Sequence, residues 1–312
     1  MSAFAAGVIL AETLERKLAP PPAVMTDRLP RPAVLPMAPG RPAELRIQPG
    51  RAVKRLPRLE GMRDPRQRGR ILHALANHEL QAVELYAWAI LAYPLAPAAF
   101  RQDLLHILTE EQRHTRMYVS RLKDCGLSFG DQAVTGYFWA KVAGLQEHPL
   151  RFVCAMALTF ENANLDHTLE LEAAAQAAGD AATAAVIRRV RSDEVGHVAF
   201  GWRWLAAMRE ADQTMWQAYL HHVRWPLRPA LARGRQFNRA DRMAAGLDPA
   251  FIQLLEAEEP PRPRAQRRSP AAGQVGAGHD ASGHVASGHG GSEHDASEHD
   301  ASDLDASDHP GA

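Results

Sequence analysis

Residues 111–114 read Glu111-Gln112-Arg113-His114, and the same Glu-x-x-His spacing recurs at Glu194-Val195-Gly196-His197 and nowhere else in the 312 residues. With 19 glutamates and 15 histidines, about one such pair is expected by chance, so the motif alone is weak. Its surroundings give it weight. Glu79 lies 32 residues ahead of Glu111, and Glu161 lies 33 ahead of Glu194. Each lone glutamate falls near the middle of a long segment with helical periodicity. The pattern repeats at a spacing of 82 to 83 residues and reads as two related helical hairpins.

Punctuation in the sequence bounds these helices. Asp64-Pro65 supplies a cap and a first-turn proline for a helix from 65 to about 91, which stops before Pro94. A second helix runs from Pro97 to Cys125-Gly126, with glycine as the stop. A third spans Pro149 to Gly179, and a fourth runs from the cap Asp180 to about Glu210. A fifth begins at Asp212 and must bend or break at Pro226. Each of the first four is close to 30 residues, or ~42–45 Å long. Strand signals are absent. Short links join the first to the second and the third to the fourth, so these are antiparallel neighbours. The stretch 126–148 is long enough to cross between the pairs and contains a small helix around 132–142. The expected fold is all-α: a ferritin-like four-helix bundle with one long crossover between its second and third helices, plus extra N- and C-terminal helices.

Helical phase places the motif residues inward. Leu72, Ala76, Glu79, Val83, Tyr86 and Ile90 share one face, as do Leu104, Ile107, Leu108, Glu111, His114, Tyr118 and Leu122. The third helix aligns Cys154, Ala157, Leu158, Glu161, Leu165 and Thr168, and the fourth Ile187, Val190, Glu194, His197, Gly201 and Trp204. Four carboxylates and two imidazoles thus sit on apolar faces, with no Lys or Arg at the same level. Buried carboxylates without a partner cost several kcal/mol. A pair of metal ions held by Glu79, Glu111, His114, Glu161, Glu194 and His197 compensates them most economically. Carboxylates bridge ions and change binding mode with oxidation state, and imidazole adds a neutral donor suited to iron. The alternative is a metal-free buried polar network.

Neighbouring residues carry two readings each. Glu84 is a rival to Glu79, but five residues on it lies about 140° round the helix and faces away. Glu110 and Asp193 each precede a motif glutamate. Either they orient the histidine of the opposite motif, or they are surface or helix-contact carboxylates. Tyr86 and Tyr118 lie one to two turns from ligands, where a packed ring with a satisfied hydroxyl is the ordinary case and a radical or hydrogen-bonding role the sharper one. Trp202, Trp204, Trp216 and Trp225 read as core or interface residues.

The flanks differ from the middle. Lys+Arg and Asp+Glu are both 36, giving a net charge of zero. Residues 269–312 hold eight acidic residues and no Lys or Arg, which leaves 36 basic against 28 acidic, or +8, on residues 1–268. The organisation expected is 1–64 as a short helix and Pro/Arg-rich arm, 65–258 as the helical domain, and 259–312 as a tail. The segment 3–11 reads as a short amphipathic helix, too short for the ~18 apolar residues of a membrane span. The arm, dense in proline and arginine, either wraps the helices or contacts an anionic substrate or nucleic acid. In the tail, His279, His284, His289, His294 and His299 recur every five residues, Leu304 takes the next slot and His309 resumes the period. That composition cannot bury a core and reads as disordered. It is either a neutral repeat or a loose Zn, Ni or Cu binder. Cys125 and Cys154 cannot build a disulfide framework, so a reducing, cytoplasmic setting is the expectation.

The chain resembles the bacterial ferritin-like family catalogued as domain of unknown function 455. The resemblance rests on His78-Glu79-Leu80-Gln81-Ala82-Val83-Glu84-Leu85, Glu110-Glu111 through His114, Leu165-Asp166 after Glu161, and Asp193-Glu194-Val195-Gly196-His197-Val198 with Gly201-Trp202. Glu79-Leu80-Gln81-Ala82 with Tyr86 is also similar to the first ligand helix of rubrerythrins. The resemblance covers roughly residues 5–215 and implies a metal-binding four-helix bundle without a settled reaction.

The function expected is a di-metal protein, with iron first and manganese or a mixed pair on the same ligands. It would activate O₂ or peroxide to oxidise or hydroxylate an organic substrate, with electrons from a donor the sequence does not name. Non-catalytic iron storage or metal buffering is the second reading, and a tRNA-modifying hydroxylase the third. Self-association is left open by the sequence.

Overall fold

Asp64 starts the first long helix as the sequence predicts: its Oδ1 accepts from the backbone N–H groups of Arg66 and Gln67 at 2.7 and 3.1 Å, and Pro65 occupies the first turn. The computed structural model describes residues 1–27, 35–141, 143–224 and 226–260, with backbone only at position 51. The histidine repeat and Trp225 lie outside these residues. Among the described residues the chain is all-α, with one isolated β-bridge between Ile47 and Val134.

In chain order the helices are α1 (Ser2–Leu10), α2 (Leu14–Lys17), α3 (Pro65–Ala92), α4 (Ala98–Asp124), α5 (Pro149–Ala155), α6 (Glu161–Ala177), α7 (Ala181–Met208), α8 (Met215–His222), α9 (Arg239–Ala244) and α10 (Pro249–Glu256). The pairs α3–α4 and α6–α7 form tight hairpins, and α4 packs on α7. Gly126 and Gly179 close α4 and α6 at φ +71° and +74°, conformations that favour glycine. The predicted inward faces are buried throughout, save that Trp204 is half-buried. Trp88, Phe100 and Phe152 are among the fully buried rings, each burial contributing ~1.5–3 kcal/mol. Trp202, Trp204 and Trp216 pack against the same core as half-buried residues. No described helix is long and apolar enough to cross a membrane.

Four sequence expectations change. The third helix runs unbroken but is not a uniform α-helix: a π-helical turn, Met156–Phe160, lies between α5 and α6. Among its described residues the crossover holds no α-helix over 132–142, with 3₁₀ turns at Trp139–Lys141 and Leu145–Glu147. Residues 134–135 instead bond the arm and α3, which competes with helix formation: Gln48 N–H donates to the Val134 carbonyl at 2.8 Å and Asn77 Nδ2 to the Thr135 carbonyl at 3.1 Å. The fifth helix starts at Met215 rather than Asp212, because Thr214 and Gln217 form a capping box, and it ends before Pro226. Finally, α1 has no polar face. Ala5, Val8 and Ile9 are buried, while the opposite side shows Ala3, Gly7 and Leu10.

The arm is bound to the helices through Glu84. Arg41 donates to both Glu84 oxygens at 2.9 and 2.8 Å, Lys17 Nζ lies 2.9 Å from Oε1, and Trp139 Nε1 donates to Oε2 at 2.8 Å. One carboxylate on the far side of α3 therefore joins the N-terminal segment, the arm and the crossover. Arg41 is consumed internally and is not offered to an external anion.

Candidate metal centre

Two sets of side chains converge between the hairpins. Glu79, Glu111, His114 and Glu194 each offer one ligand atom within 4.8 Å of the others, and Glu111, Glu161, Glu194 and His197 do the same. All six predicted residues are thus brought together, and Glu111 and Glu194 belong to both sets. The motif glutamates and histidines are at most 1% exposed, whereas Glu79 and Glu161 are 5% and 6% exposed. The lone glutamates therefore mark the side of the centre nearer to solvent.

The histidine rings are fixed from outside the cluster. Asp193 Oδ2 lies 3.1 Å from His114 Nε2, and Glu110 Oε2 lies 3.1 Å from His197 Nε2. Each carboxylate thus faces the histidine of the opposite motif. Burial raises the Asp193 carboxyl, but hydrogen bonds from His114 and Arg113 outweigh it and hold the group at about 2. Burial also raises Glu110, and contacts with His197 outweigh that, bringing it below its ordinary value. Both are acceptors only, so Nε2 carries the proton in each ring. Nδ1 then faces inward: His114 Nδ1 is 3.3 Å from Glu111 Oε2 and 3.5 Å from Glu79 Oε2, and His197 Nδ1 is 2.9 Å from Glu194 Oε2 and 3.1 Å from Glu111 Oε1. A lone pair aimed at carboxylate oxygens is repulsive unless a proton or a metal ion lies between them.

Electrostatics points the same way. Burial and then the neighbouring Glu111 push Glu79 well above the usual carboxylate range. Burial and then Glu194 and Glu111 do the same to Glu161. Burial also raises Glu111, but His114 and His197 outweigh it and hold the group low. Burial lowers both histidines, yet their carboxylate partners raise them well above the ordinary value. The protein alone thus gathers protons where metal would gather charge, and binding a cation releases them. Glu161 Oε1 and Glu111 Oε1 are buried without a hydrogen bond of proper geometry. Oxygen donors, two inward imidazole nitrogens and orphaned carboxylate oxygens together could hold a metal ion.

Several residues of the site escape the sequence reading. Asn164 Nδ2 donates to Glu194 Oε1 at 2.8 Å. It stands three residues after Glu161, the same spacing that pairs Glu with His in the motifs, and that spacing was its available signal. Arg113 Nη2 bonds Glu110 Oε1 at 3.1 Å and Asp193 Oδ2 at 2.7 Å, so one guanidinium holds both carboxylates behind the histidines. The π turn ends at Glu161 and sets its direction. Thr159 Oγ1 donates to the Cys154 carbonyl at 2.7 Å and lies 2.9 Å from the Tyr219 hydroxyl, which supports the widened turn. Gly201 admits it: a Cβ there would stand 2.6 Å from Ala157 Cβ and 3.0 Å from Leu158 Cγ.

Tyr86 and Tyr118 are fully buried, and the expectation of satisfied hydroxyls is corrected. Neither hydroxyl makes a hydrogen bond of proper geometry among the described residues, although the Tyr86 hydroxyl interacts with the Glu161 carboxylate. Burial, then Glu161 for Tyr86 and Glu79 for Tyr118, raises both far above the ordinary phenol value. The Tyr86 ring is centred 6.4 Å from that of His197. Two protonated phenols therefore stand near the centre as donors.

Residues 9–253 match the family described as "Protein of unknown function (DUF455)". No curated protein and no solved structure matches the chain. The matched span contains both long hairpins and every donor of the cluster, and the chain belongs to the DUF455 family.

Proposed function

We propose that this protein is a di-metal carboxylate oxidoreductase built on a ferritin-like four-helix bundle. The carrying observation is that its two donor sets share Glu111 and Glu194. Glu79 and His114 would hold one ion, Glu161 and His197 the other, and the shared glutamates both. Iron, or manganese on the same ligands, would supply the redox change that reduces O₂ or peroxide while an organic substrate is oxidised.

The chain's own residues have defined tasks in this reading. Glu110 and Asp193 keep the Nε2 protons of His197 and His114 outward, so that Nδ1 is available inside. Arg113 holds both carboxylates in place. Tyr86 and Tyr118 can each give a hydrogen bond, or a proton with an electron, into the site. The surrounding apolar side chains exclude water from reactive species. Electrons come from a separate donor, and the cytoplasm is the setting consistent with two free cysteines.

Anaerobic reduction of the iron-loaded protein followed by exposure to O₂ tests the proposal. An oxygen-dependent change in the optical spectrum is expected. Iron that stays bound without such a change supports metal buffering instead.

A further inference from the structure

A second concave site lies on the opposite side of α3 from the metal centre. It is a cavity of about 290 Å³ between the arm at 50–56, α3 and the crossover at 131–137. Its size is near the lower end of the ~300–1,000 Å³ typical of small-molecule sites. Positions 70, 73, 74, 77 and 78 of α3 line it, whereas 72, 76, 79 and 83 face the centre, so the two sites use different faces of one helix.

The walls are fixed before any ligand arrives. Asn77 Nδ2 bonds the Thr135 carbonyl at 3.1 Å, Gly130 N–H donates to His73 Nε2 at 3.0 Å, and an Arg70 Nη donates to the Arg55 carbonyl at 2.5 Å. Arm, helix and crossover are thus tied to one another around the opening, which lowers the ordering cost of binding. The lining is one-sided in charge: Lys54, Arg55 and Arg70 against the single carboxylate of Asp131. Val53, Leu56 and Ala74 add an apolar wall.

We propose that this cavity binds a small organic anion, a carboxylate or phosphate ester on an apolar body, with Lys54 and Arg70 receiving the charge. The arginine-rich arm, whose Arg41 is spent on Glu84, here finds an external task for its second half. A concave cavity of this volume suits a small molecule better than a nucleic-acid backbone, which needs an extended cationic track.

Calorimetric titration of the 312-residue chain with phenyl phosphate and, separately, with benzoate tests the proposal, with and without a metal chelator. One of the two probes is expected to bind saturably, one per chain, and which one does so separates phosphate esters from carboxylates. Lys54→Glu should weaken that binding at least tenfold, and Asp131→Asn should tighten it several-fold. Both variants should keep the wild-type circular dichroism, since Lys54 and Asp131 are exposed. Opposite signs for the two variants identify a charge effect that loss of structure would not produce. Failure of both probes to bind, binding indifferent to both substitutions, or binding of an RNA oligonucleotide in place of the small anions would overturn the proposal. Because the chelated protein is expected to give the same result, this outcome is independent of the metal centre.

Discussion

Glu110 of α4 holds His197 of α7 across the helix interface, Oε2 to Nε2 at 3.1 Å, and Asp193 of α7 holds His114 of α4 at the same distance. The two contacts are reciprocal, each motif orienting the other's imidazole. Arg113 closes the arrangement by bonding both carboxylates. The helix pair α4–α7 therefore carries four of the six donors together with the groups that aim the histidines.

Removing one of these carboxylates should loosen metal without unfolding the protein. Asp193→Ala leaves His114 free to rotate or change tautomer, and an affinity loss of about 10–100-fold is expected. Competition with a chromophoric chelator measures it. Asp193→Asn, which keeps an oxygen acceptor, should lie between wild type and alanine.

Gly201→Ala drives a methyl into Ala157 and Leu158 of the π turn. The neighbours are carbons on packed helices, so relief requires backbone movement. Destabilisation of about 1–3 kcal/mol is expected, read by chemical denaturation. Glu161 follows the turn, so the variant should also hold less metal than wild type at equal free concentration.

Glu84→Ala leaves Lys17 and Arg41 buried without their carboxylate. Breaking a buried ion pair from one side costs about 3–5 kcal/mol. The loss should appear in denaturant unfolding, while metal stoichiometry of the folded protein stays unchanged because Glu84 lies away from the donor sets.

His73 gives the fold an acid-sensitive element. Burial lowers its pKa from 6.5 to about 4, although Asp131 pulls it upward. The folded state keeps the ring neutral, and its Nε2 accepts from Gly130 N–H. Between pH 6.5 and 4 the unfolded chain binds the proton and the folded chain does not. The stability tied to His73 is therefore complete above pH 6.5 and falls as the pH drops to about 4, by at most ~3 kcal/mol. His73→Gln should flatten that part of the stability–pH curve.

The helical register of the centre is legible in the sequence because burial and a three-residue spacing act within single helices. Asp64, Gly126 and Gly179 mark helix ends for equally local reasons. The π turn is a different matter. Met156–Phe160 contains neither glycine nor proline, and its wider turn depends on Gly201 from α7 and Tyr219 from α8, which no local pattern reveals. Arg41 likewise reads as one more arm arginine until the fold sets it against Glu84, 43 residues on. The crossover loses its expected helix because its backbone is engaged by Gln48 and Asn77. Long-range partners decided each of these features.

The most direct measurement is the metal content of the purified 312-residue chain after iron loading, by elemental analysis, compared with Glu111→Ala and Glu79→Ala. The shared-ligand arrangement predicts two ions per chain in the wild type, fewer than one in Glu111→Ala, and about one in Glu79→Ala. A wild-type chain holding no more than a trace of iron or manganese, or a Glu111→Ala variant that still holds two ions, would contradict it.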